Sequence, residues 1–225
     1  MKFAIILAGC GQHDGSEIHE VVMTLLAVEA EGIQWHAYAP NRTQAQVINH
    51  LTNTPVENAS RNILEESARV VRGRISPLDA FSADNYDAVI FPGGFGAATN
   101  WCNWLTHDTG FNIETDIQSL VDQAKAAGHA FGFICIAPIM ITRLFDQSTL
   151  TIGNDDELAA KIAQLGATHI NCAATDIVID EHNRVVSTPA NMLAENLLEL
   201  KTGIHKLIRS VAELVRANQA AALKS

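Results

Sequence analysis

The stretch Gly132-Phe133-Ile134-Cys135-Ile136-Ala137-Pro138 carries an apolar strand straight into a helix. A sharp strand-to-helix turn of this kind can lift a nucleophilic side chain out of a sheet, as in a nucleophile elbow. Pro138 suits the first helical turn, where no backbone N–H partner is needed. The stretch therefore predicts a βα unit with a candidate reactive residue at its corner.

Short β-branched or aliphatic runs alternate with helical segments on both sides of this unit, a pattern typical of a parallel sheet covered on both faces. The last two predicted strands flank a tight turn and indicate an antiparallel edge hairpin. We predict one α/β domain over residues 1–225, with a doubly wound, mostly parallel sheet in three layers and a frayed tail from residue 218. The predicted strands are 3–8, 34–39, 88–91, 130–134, 150–152, 177–179 and 185–187, and the predicted helices are 16–31, 61–72, 113–127, 137–145, 155–165 and 192–216.

Composition and charge exclude several classes of protein. The 225 residues contain 15 Lys and Arg against 25 Asp and Glu, a net charge of −10. Nucleic acid is therefore not expected as a partner, because phosphate binding needs clustered cations. No membrane partner is expected either, since the apolar runs are far shorter than the ~20 residues of a membrane span. The four cysteines form no C-x-x-C pair, which favours a reducing compartment, and we expect the cytoplasm.

Cys135 is the strongest candidate nucleophile in the sequence. At the end of its strand, the sulfur would face the N–H groups of the next helical turn, whose partial positive charge lowers the pKa of a thiol. We therefore expect the sulfur to be ionised at neutral pH. A buried structural cysteine is an equally good interpretation of the residue pattern alone.

A glycine-rich segment, Phe91-Pro92-Gly93-Gly94-Phe95-Gly96, closes the third predicted strand. Glycines allow a tight turn and leave backbone N–H groups that can hold an anion or a developing oxyanion. No G-K-[ST] follows, so the segment is not a phosphate loop. A plain glycine-rich turn is the alternative.

Acidic residues cluster at the start of the first helix. Asp14 and Glu17 have the spacing of a capping box, which would give Glu17 a structural role. Glu20 has no such role, and its carboxyl group could point toward the strand that carries Cys135; an ordinary solvated glutamate is the alternative. Adjacent His19 and Glu20 point in different directions on a helix, so we expect no metal site.

Taken together, these motifs resemble the ThiJ/PfpI superfamily of class I glutamine amidotransferase-like proteins. Within it, they are similar to the bacterial ElbB type, the isoprenoid biosynthesis proteins with an amidotransferase-like domain. The resemblance covers nearly the whole chain. It rests on Cys10-Gly11 with residues 14–20, and on residues 47–52, 91–98, 132–138, 176–178 and 187–190.

The resemblance implies a flavodoxin-like fold and a set of site residues. Cys135 would be the reactive cysteine, with a glutamate of the first helix hydrogen-bonded to its sulfur. Glu20 matches that glutamate and Glu17 is the second candidate. The backbone N–H groups of Gly94 and Ile136 would form the oxyanion hole.

The resemblance also implies an activity, a glutathione-independent glyoxalase that converts glyoxal to glycolate or methylglyoxal to lactate. The partner would be a small reactive aldehyde, no cofactor would be needed, and the protein would be a homodimer. We expect Gly93, Phe95 and Cys10 to line the substrate site.

Two departures from the superfamily exclude related activities. Its peptidases place a histidine after the nucleophile, where this chain has Ile136, and its amidotransferases need a late His-x-Glu pair, yet residues 184–204 contain no histidine. Peptidase and glutaminase chemistry are disfavoured, because the thiol lacks an activating base of that kind.

Two other functions remain open. Cys10, Cys102 and Cys135 could share one rim in a redox-responsive cysteine protein. An accessory binding module linked to isoprenoid biosynthesis has only the family label in its support.

Overall fold

The computed structural model describes residues 1–222. Its strands are β1 (Lys2–Ile6), β2 (Gln34–Ala39), β3 (Ile48–Asn49), β4 (Thr54–Pro55), β5 (Ile75–Pro77), β6 (Ala88–Phe91), β7 (Ala130–Ile134), β8 (Thr149–Leu150), β9 (Thr168–His169), β10 (Val178–Asp180) and β11 (Val185–Thr188). Its α-helices are α1 (Ile18–Ala30), α2 (Ile63–Val70), α3 (Trp104–His107), α4 (Thr115–Ala126), α5 (Ile141–Leu144), α6 (Asp156–Gln164) and α7 (Leu197–Ala222).

The main sheet has the strand order β10-β11-β7-β6-β1-β2-β5. All neighbouring strands are parallel except β10 and β11, which form the antiparallel pair at one edge. Helices α1 and α7 pack against each other over the sheet. The predicted fold class is confirmed: a mostly parallel, flavodoxin-like sheet in a three-layer α/β/α arrangement with an antiparallel edge hairpin.

The centre of the sheet is formed by β1, β6 and β7, whose side chains are almost entirely buried. Strands covered on both faces need continuous apolar runs, which is why these three were recognisable in the sequence. The rings of Phe91 and Phe133 stack across β6 and β7 with centroids 4.7 Å apart. These strands share one continuous core, and their parallel pairing brings three neighbouring carboxyl ends to one edge of the sheet.

Two strand predictions are corrected by the structure. Residues 150–152 do not extend the main sheet, because β8 pairs with β9 in a separate two-stranded sheet. The edge strand β5 was not predicted. It has three residues and ends in Pro77, so it carries neither the length nor the alternation that predicts a strand.

Two helix predictions also need correction. The segment predicted as one helix over 137–145 is a 3₁₀ turn, Ala137–Met140, followed by the single-turn α5. The last helix begins at Leu197 rather than at residue 192, and it stays helical through Ala222, where a frayed tail was expected. The rest of that tail, residues 223–225, lies outside the described residues.

The predicted capping box at the start of α1 is wrong. The Asp14 carboxylate instead accepts a hydrogen bond from the Ile48 N–H at 2.8 Å, which anchors the segment before β4. Glu17 itself is the N-cap of α1, and its side chain accepts the Glu20 N–H at 2.7 Å. The capping carboxylate therefore lies three residues before Glu20, at the same helix end.

Candidate active site

Cys135 forms the corner between β7 and the 3₁₀ turn that follows it. Its φ angle is +64°, a backbone conformation that residues with a Cβ atom adopt at an energetic cost. The Cys135 N–H donates to the Thr188 carbonyl of β11 at 2.9 Å, which holds the strained corner against the neighbouring strand. The side chain is only 8% exposed. Cys135 lines a cavity above the sheet edge, from which its sulfur can be approached.

Glu20 in the first turn of α1 is fully buried, and its carboxyl group lies close to the Cys135 side chain. Its Oε2 accepts the Gly93 N–H at 2.9 Å and its Oε1 accepts the Asn191 N–H at 3.3 Å. Gly93 permits this approach, because a Cβ atom there would lie 2.5 Å from the Cys135 Cβ and 2.7 Å from Glu20 Oε2. The structure thus brings Glu20, rather than Glu17, to the sulfur.

Glu20 is held in its protonated form at neutral pH. Burial raises the pKa of its carboxyl group to about 8, and the negative charge of Glu17 adds to the effect. The hydrogen bonds from Asn191 and Gly93 act in the opposite direction but are outweighed. A protonated Glu20 can donate its proton toward the sulfur.

The expectation of an ionised sulfur is wrong for the resting site. Burial raises the pKa of the Cys135 thiol well above its ordinary value, and the Glu20 carboxyl group raises it further. The N–H groups of Gly94 and Ile136 approach the sulfur and lower its pKa, but desolvation is the larger effect. Cys135 therefore rests as a neutral thiol, and its proton must leave as the sulfur attacks.

Glu17 lies beside this pair and is held by three donors. One carboxylate oxygen, Oε2, accepts the Glu20 N–H at 2.7 Å and the Asn191 side-chain amide at 3.1 Å. The other, Oε1, lies 3.0 Å from Nδ1 of His19, an exposed side chain on the outer surface of α1. Glu17 is therefore a positioned carboxylate near the sulfur, in addition to being the helix cap.

A cavity of about 210 Å³ opens above the sulfur; its walls are Gln12, Glu17, Gly94, Phe95, Cys135, Asn191 and Met192. Of the three predicted substrate contacts, Phe95 forms part of the wall and Gly93 lies directly beneath the reactive pair. Cys10 is not among the wall residues. It lies instead near Glu66 and Arg69 of α2, because the chain leaving β1 turns toward that helix.

Three wall residues, Gln12, Asn191 and Met192, were not identified from the sequence. Asn191 matters most, since its backbone contacts Glu20 and its side chain contacts Glu17. It follows the carboxyl end of β11 by three residues, after Ala190, whose φ is +47°. Sites in α/β sheets form at the carboxyl ends of strands. The position of Asn191 shortly after the last predicted strand was therefore the sequence signal that could have identified it.

Cys102 does not reach the same rim. It is fully buried, its sulfur donates to the Ala97 carbonyl at 3.4 Å, and burial raises its pKa to about 12. Cys10 is half-buried beside α2, outside the cavity. The arrangement of three cysteines at one rim, on which the redox-responsive alternative depended, is therefore not formed.

Two kinds of feature are absent from residues 1–222, the part of the chain that the structure describes. Within that range, no group of three or more His, Cys, Asp or Glu side chains is arranged to hold a metal ion. No helix in the same range has the length and apolar character to cross a membrane.

The fold and site define a class of protein that solved structures also show. A ThiJ/PfpI domain protein from Brachyspira murdochii has a TM-score of 0.55 at 14% identity, covering 97% of this chain and 96% of its own. A Schizosaccharomyces pombe DJ-1 variant has a TM-score of 0.57 at 15% identity, covering 99% and 98%. These structures share the fold.

A narrower relationship comes from proteins with higher identity, although no family model matches the chain. The human "Glutamine amidotransferase-like class 1 domain-containing protein 3, mitochondrial" is 36% identical over 222 residues, 95% of this chain and 83% of that protein. The rat "ES1 protein homolog, mitochondrial" is 35% identical over 222 residues, 95% of this chain and 84% of that protein. An Ehrlichia chaffeensis "isoprenoid biosynthesis protein with amidotransferase-like domain" has a TM-score of 0.89 at 32% identity, covering 96% and 99%. The chain belongs to the class I glutamine amidotransferase-like family, as its motifs predicted.

The expectation of a cytoplasmic location for this chain is contradicted by the names of its relatives. The human and rat relatives are both named as mitochondrial proteins, and so is a zebrafish ES1 protein that is 27% identical over 207 residues. The expectation rested on cysteine usage, which reports the redox conditions of a compartment rather than the compartment itself.

Proposed function

We propose that the protein is a glutathione-independent glyoxalase that converts glyoxal to glycolate and methylglyoxal to lactate. The observation that carries the proposal is the pairing of Cys135, at a strained strand end and in the wall of a small cavity, with the protonated carboxyl group of Glu20 beside it. Both aldehydes are small enough to reach a sulfur of such low exposure. The family includes proteins named for amidotransferase-like domains, so the activity is a proposal for this chain.

The chemistry begins with addition of the Cys135 sulfur to the aldehyde carbon. The thiol proton ends on the aldehyde oxygen, and the product is a hemithioacetal. While charge develops on that oxygen, the N–H groups of Gly94 and Ile136, which already approach the sulfur, are placed to stabilise it. Glu20 donates and accepts the proton that travels between sulfur and oxygen.

An internal rearrangement completes the reaction without an oxidant. The hydrogen on the former aldehyde carbon leaves as a proton to the Glu17 carboxylate in the cavity wall, and an enediol forms. The same carboxyl group returns a proton to the neighbouring carbon to give a thioester of the 2-hydroxy acid. Water then hydrolyses the thioester and restores the thiol. One water is consumed overall and no electrons leave the substrate, so the residues of the chain suffice for the proton transfers.

The wall residues also support the exclusion of peptidase and glutaminase activity. The position after the nucleophile is Ile136, and the carboxyl end of β11 presents Asn191 to the acidic pair. An asparagine amide orients carboxylates but does not act as a general base at neutral pH. The redox-responsive alternative is disfavoured by the raised pKa of Cys135, since the thiolate is the form that oxidants attack.

The test measures consumption of glyoxal and methylglyoxal in the absence of glutathione. Wild type should produce glycolate and lactate, and Cys135→Ala should not. Cys172→Ala is the control, because Cys172 is a half-buried thiol that lies outside the cavity walls. Equal turnover by wild type and Cys135→Ala would reject the proposal.

The expected homodimer also remains a proposal. Its support is a stripe on α1, in which Ile18, Val22 and Leu26 are 44%, 45% and 46% exposed at a spacing of four residues. A surface helix normally turns such a stripe toward a core or a partner. Val22→Asp should convert a dimer into a monomer in light scattering without loss of helical content, whereas a wild-type monomer would reject the proposal.

A further inference from the structure

The cavity above Cys135 can hold a small substrate, and the charge on its walls is of one sign, which is negative. Among its wall residues, all of which lie in the described part of the chain, Glu17 is the charged one, and none is Lys or Arg. The remaining walls are an amide pair, Gln12 and Asn191, and the apolar side chains of Phe95 and Met192. An incoming substrate therefore meets the negative charge of Glu17, whose imidazole partner, His19, lies outside the cavity walls.

The Glu17 carboxylate cannot easily swing away from the cavity. It is held on Oε2 by the Glu20 N–H and by the Asn191 side chain, and on Oε1 by His19. Its side chain is 9% exposed, so solvent screens its charge poorly. The hydrogen bonds come from the helix backbone, the chain after β11 and the outer surface of α1, and they fix the position of the charge from three sides.

We propose that Glu17 is a specificity-determining residue that restricts the cavity to small uncharged carbonyl compounds and rejects aldehydes that carry a carboxylate or phosphate group. The inference deepens the glyoxalase proposal and rests on it for the identity of the reaction. Size alone does not make this distinction, since a cavity of about 210 Å³ has room for a three-carbon compound with an anionic group. Repulsion between like charges in a poorly solvated cavity is what distinguishes anionic from neutral aldehydes.

The experiment compares two alkylating reagents of nearly equal size on Cys135, neutral iodoacetamide and anionic iodoacetate. The readout is the ratio of their labelling rates at Cys135, measured by peptide mass spectrometry at pH 7.5. Because both reagents attack the same sulfur, a ratio cancels any change in the reactivity of the thiol. Cys172, in the same sample, gives the ratio for a thiol outside the cavity.

In the wild-type protein, we expect the ratio of the iodoacetamide rate to the iodoacetate rate to be higher at Cys135 than at Cys172. Glu17→Gln, which keeps an oxygen acceptor for the Glu20 N–H, should lower the Cys135 ratio roughly threefold to tenfold. The fall is limited because loss of the Glu17 charge also lowers the pKa of Glu20 and leaves part of the negative charge beside the sulfur. Glu17→Asp keeps the charge and should keep most of the preference. Glu31→Gln, at the opposite end of α1, removes the same charge from the protein and should leave the ratio unchanged.

The outcomes separate this inference from the proposed function. An unchanged ratio in Glu17→Gln, or an equal fall in Glu31→Gln, would overturn the inference, and so would failure of iodoacetamide to label wild-type Cys135. If labelling behaves as expected but glyoxal is not consumed, the cavity selects neutral electrophiles and the glyoxalase proposal alone is rejected.

Discussion

Two cysteines follow neighbouring strands of the sheet, and their surroundings differ in almost every respect. Cys135 follows β7 directly, adopts a positive φ, and has a buried carboxyl group beside its sulfur. Cys102 lies in the longer loop after β6, and its sulfur donates to a backbone carbonyl within a sealed core. Proximity to a carboxyl end is therefore not sufficient for a reactive site. The strained corner and the acid partner distinguish the two.

Burial also has different chemical consequences for the two cysteines. Around Cys102, burial removes the sulfur from solvent and raises its pKa to about 12, and the sulfur donates to a backbone carbonyl, which cannot exchange a proton with it. Around Cys135, burial acts on the sulfur and on Glu20 together, so that the pair keeps a proton that can move between them. Desolvation produces an inert thiol in one loop and a coupled acid and thiol in the other.

The comparison is tested most strongly by removing each sulfur. Cys135→Ala should reduce aldehyde turnover on the order of 10⁴-fold, because no other group can form the hemithioacetal. Cys102→Ala should retain turnover but lose about 1–2 kcal/mol of unfolding free energy through lost packing. Steady-state kinetics and urea titration measure both. Loss of turnover in Cys102→Ala, with the fold intact, would break the comparison.

The next largest effect is expected from replacing Glu20, the buried acid beside Cys135. Glu20→Gln should lower turnover by roughly 10²–10³-fold, because the amide cannot carry the transferred proton. Glu31→Gln, on the same helix, should leave turnover unchanged. Kinetics at constant pH provide the measurement, and a Glu20→Gln enzyme with the wild-type rate would show that Glu20 does not move the proton.

The same variant should change how stability depends on pH. The pKa of Glu20 is about 8 in the folded protein against an ordinary 4.5, so between these values the folded state keeps a proton that the unfolded chain has lost. The free energy of unfolding should therefore fall as pH rises from about 4.5 to about 8, by a few kcal/mol in total. Urea titrations of wild type should show this slope, and those of Glu20→Gln should show it reduced.

A smaller loss of turnover is expected when a methyl group is added at Gly93, beside Cys135 and Glu20. Gly93→Ala would place a Cβ atom 2.5 Å from the Cys135 Cβ, so the sulfur and Glu20 must separate. Turnover should fall about 10²-fold, the cost of a displacement near 1 Å at a reacting centre. Gly110→Ala in the loop after β6 meets no atom within 4 Å and should be neutral in kinetics and thermal unfolding. Equal effects of the two substitutions would contradict this account of Gly93.

The smallest effects are expected from two asparagines, Asn191 after β11 and Asn103 in the loop after β6. Asn191→Ala removes the side-chain hydrogen bond to Glu17 and should lower turnover roughly fivefold to tenfold. Asn103→Ala removes a hydrogen bond to the Asn112 N–H in the loop after β6 and should reduce stability without changing turnover. If Asn191→Ala has no kinetic effect, the amide does not position the acidic pair.

Sequence reasoning was most successful where local pattern and tertiary environment agree. The apolar runs of β1, β6 and β7 predicted central parallel strands, and the passage of the chain from β7 into Pro138 predicted the corner at Cys135. It failed at β5, whose three residues become a strand only because β2 offers an edge with which to pair. Short edge strands depend on their neighbour more than on their own residues.

The candidate site shows the same division. The sequence identified Cys135 and Glu20, and it left Glu17 as an alternative for the same role. Only the structure showed that Glu17 caps α1 and lines the cavity while Glu20 lies beside the sulfur. Asn191, 171 residues away from Glu20 along the chain, escaped notice because no local spacing relates the two.

By itself, the sequence determined the alternation of the central strands with helices, the corner that carries Cys135 and the family to which the chain belongs, because these depend on residue patterns within short segments. The tertiary structure alone decided that Cys102 is sealed, that Cys10 faces α2, and that the reactive thiol rests in its neutral form. The physical reason is desolvation. The pKa of a buried group depends on how much water the whole fold removes and on which charges from distant segments remain beside it.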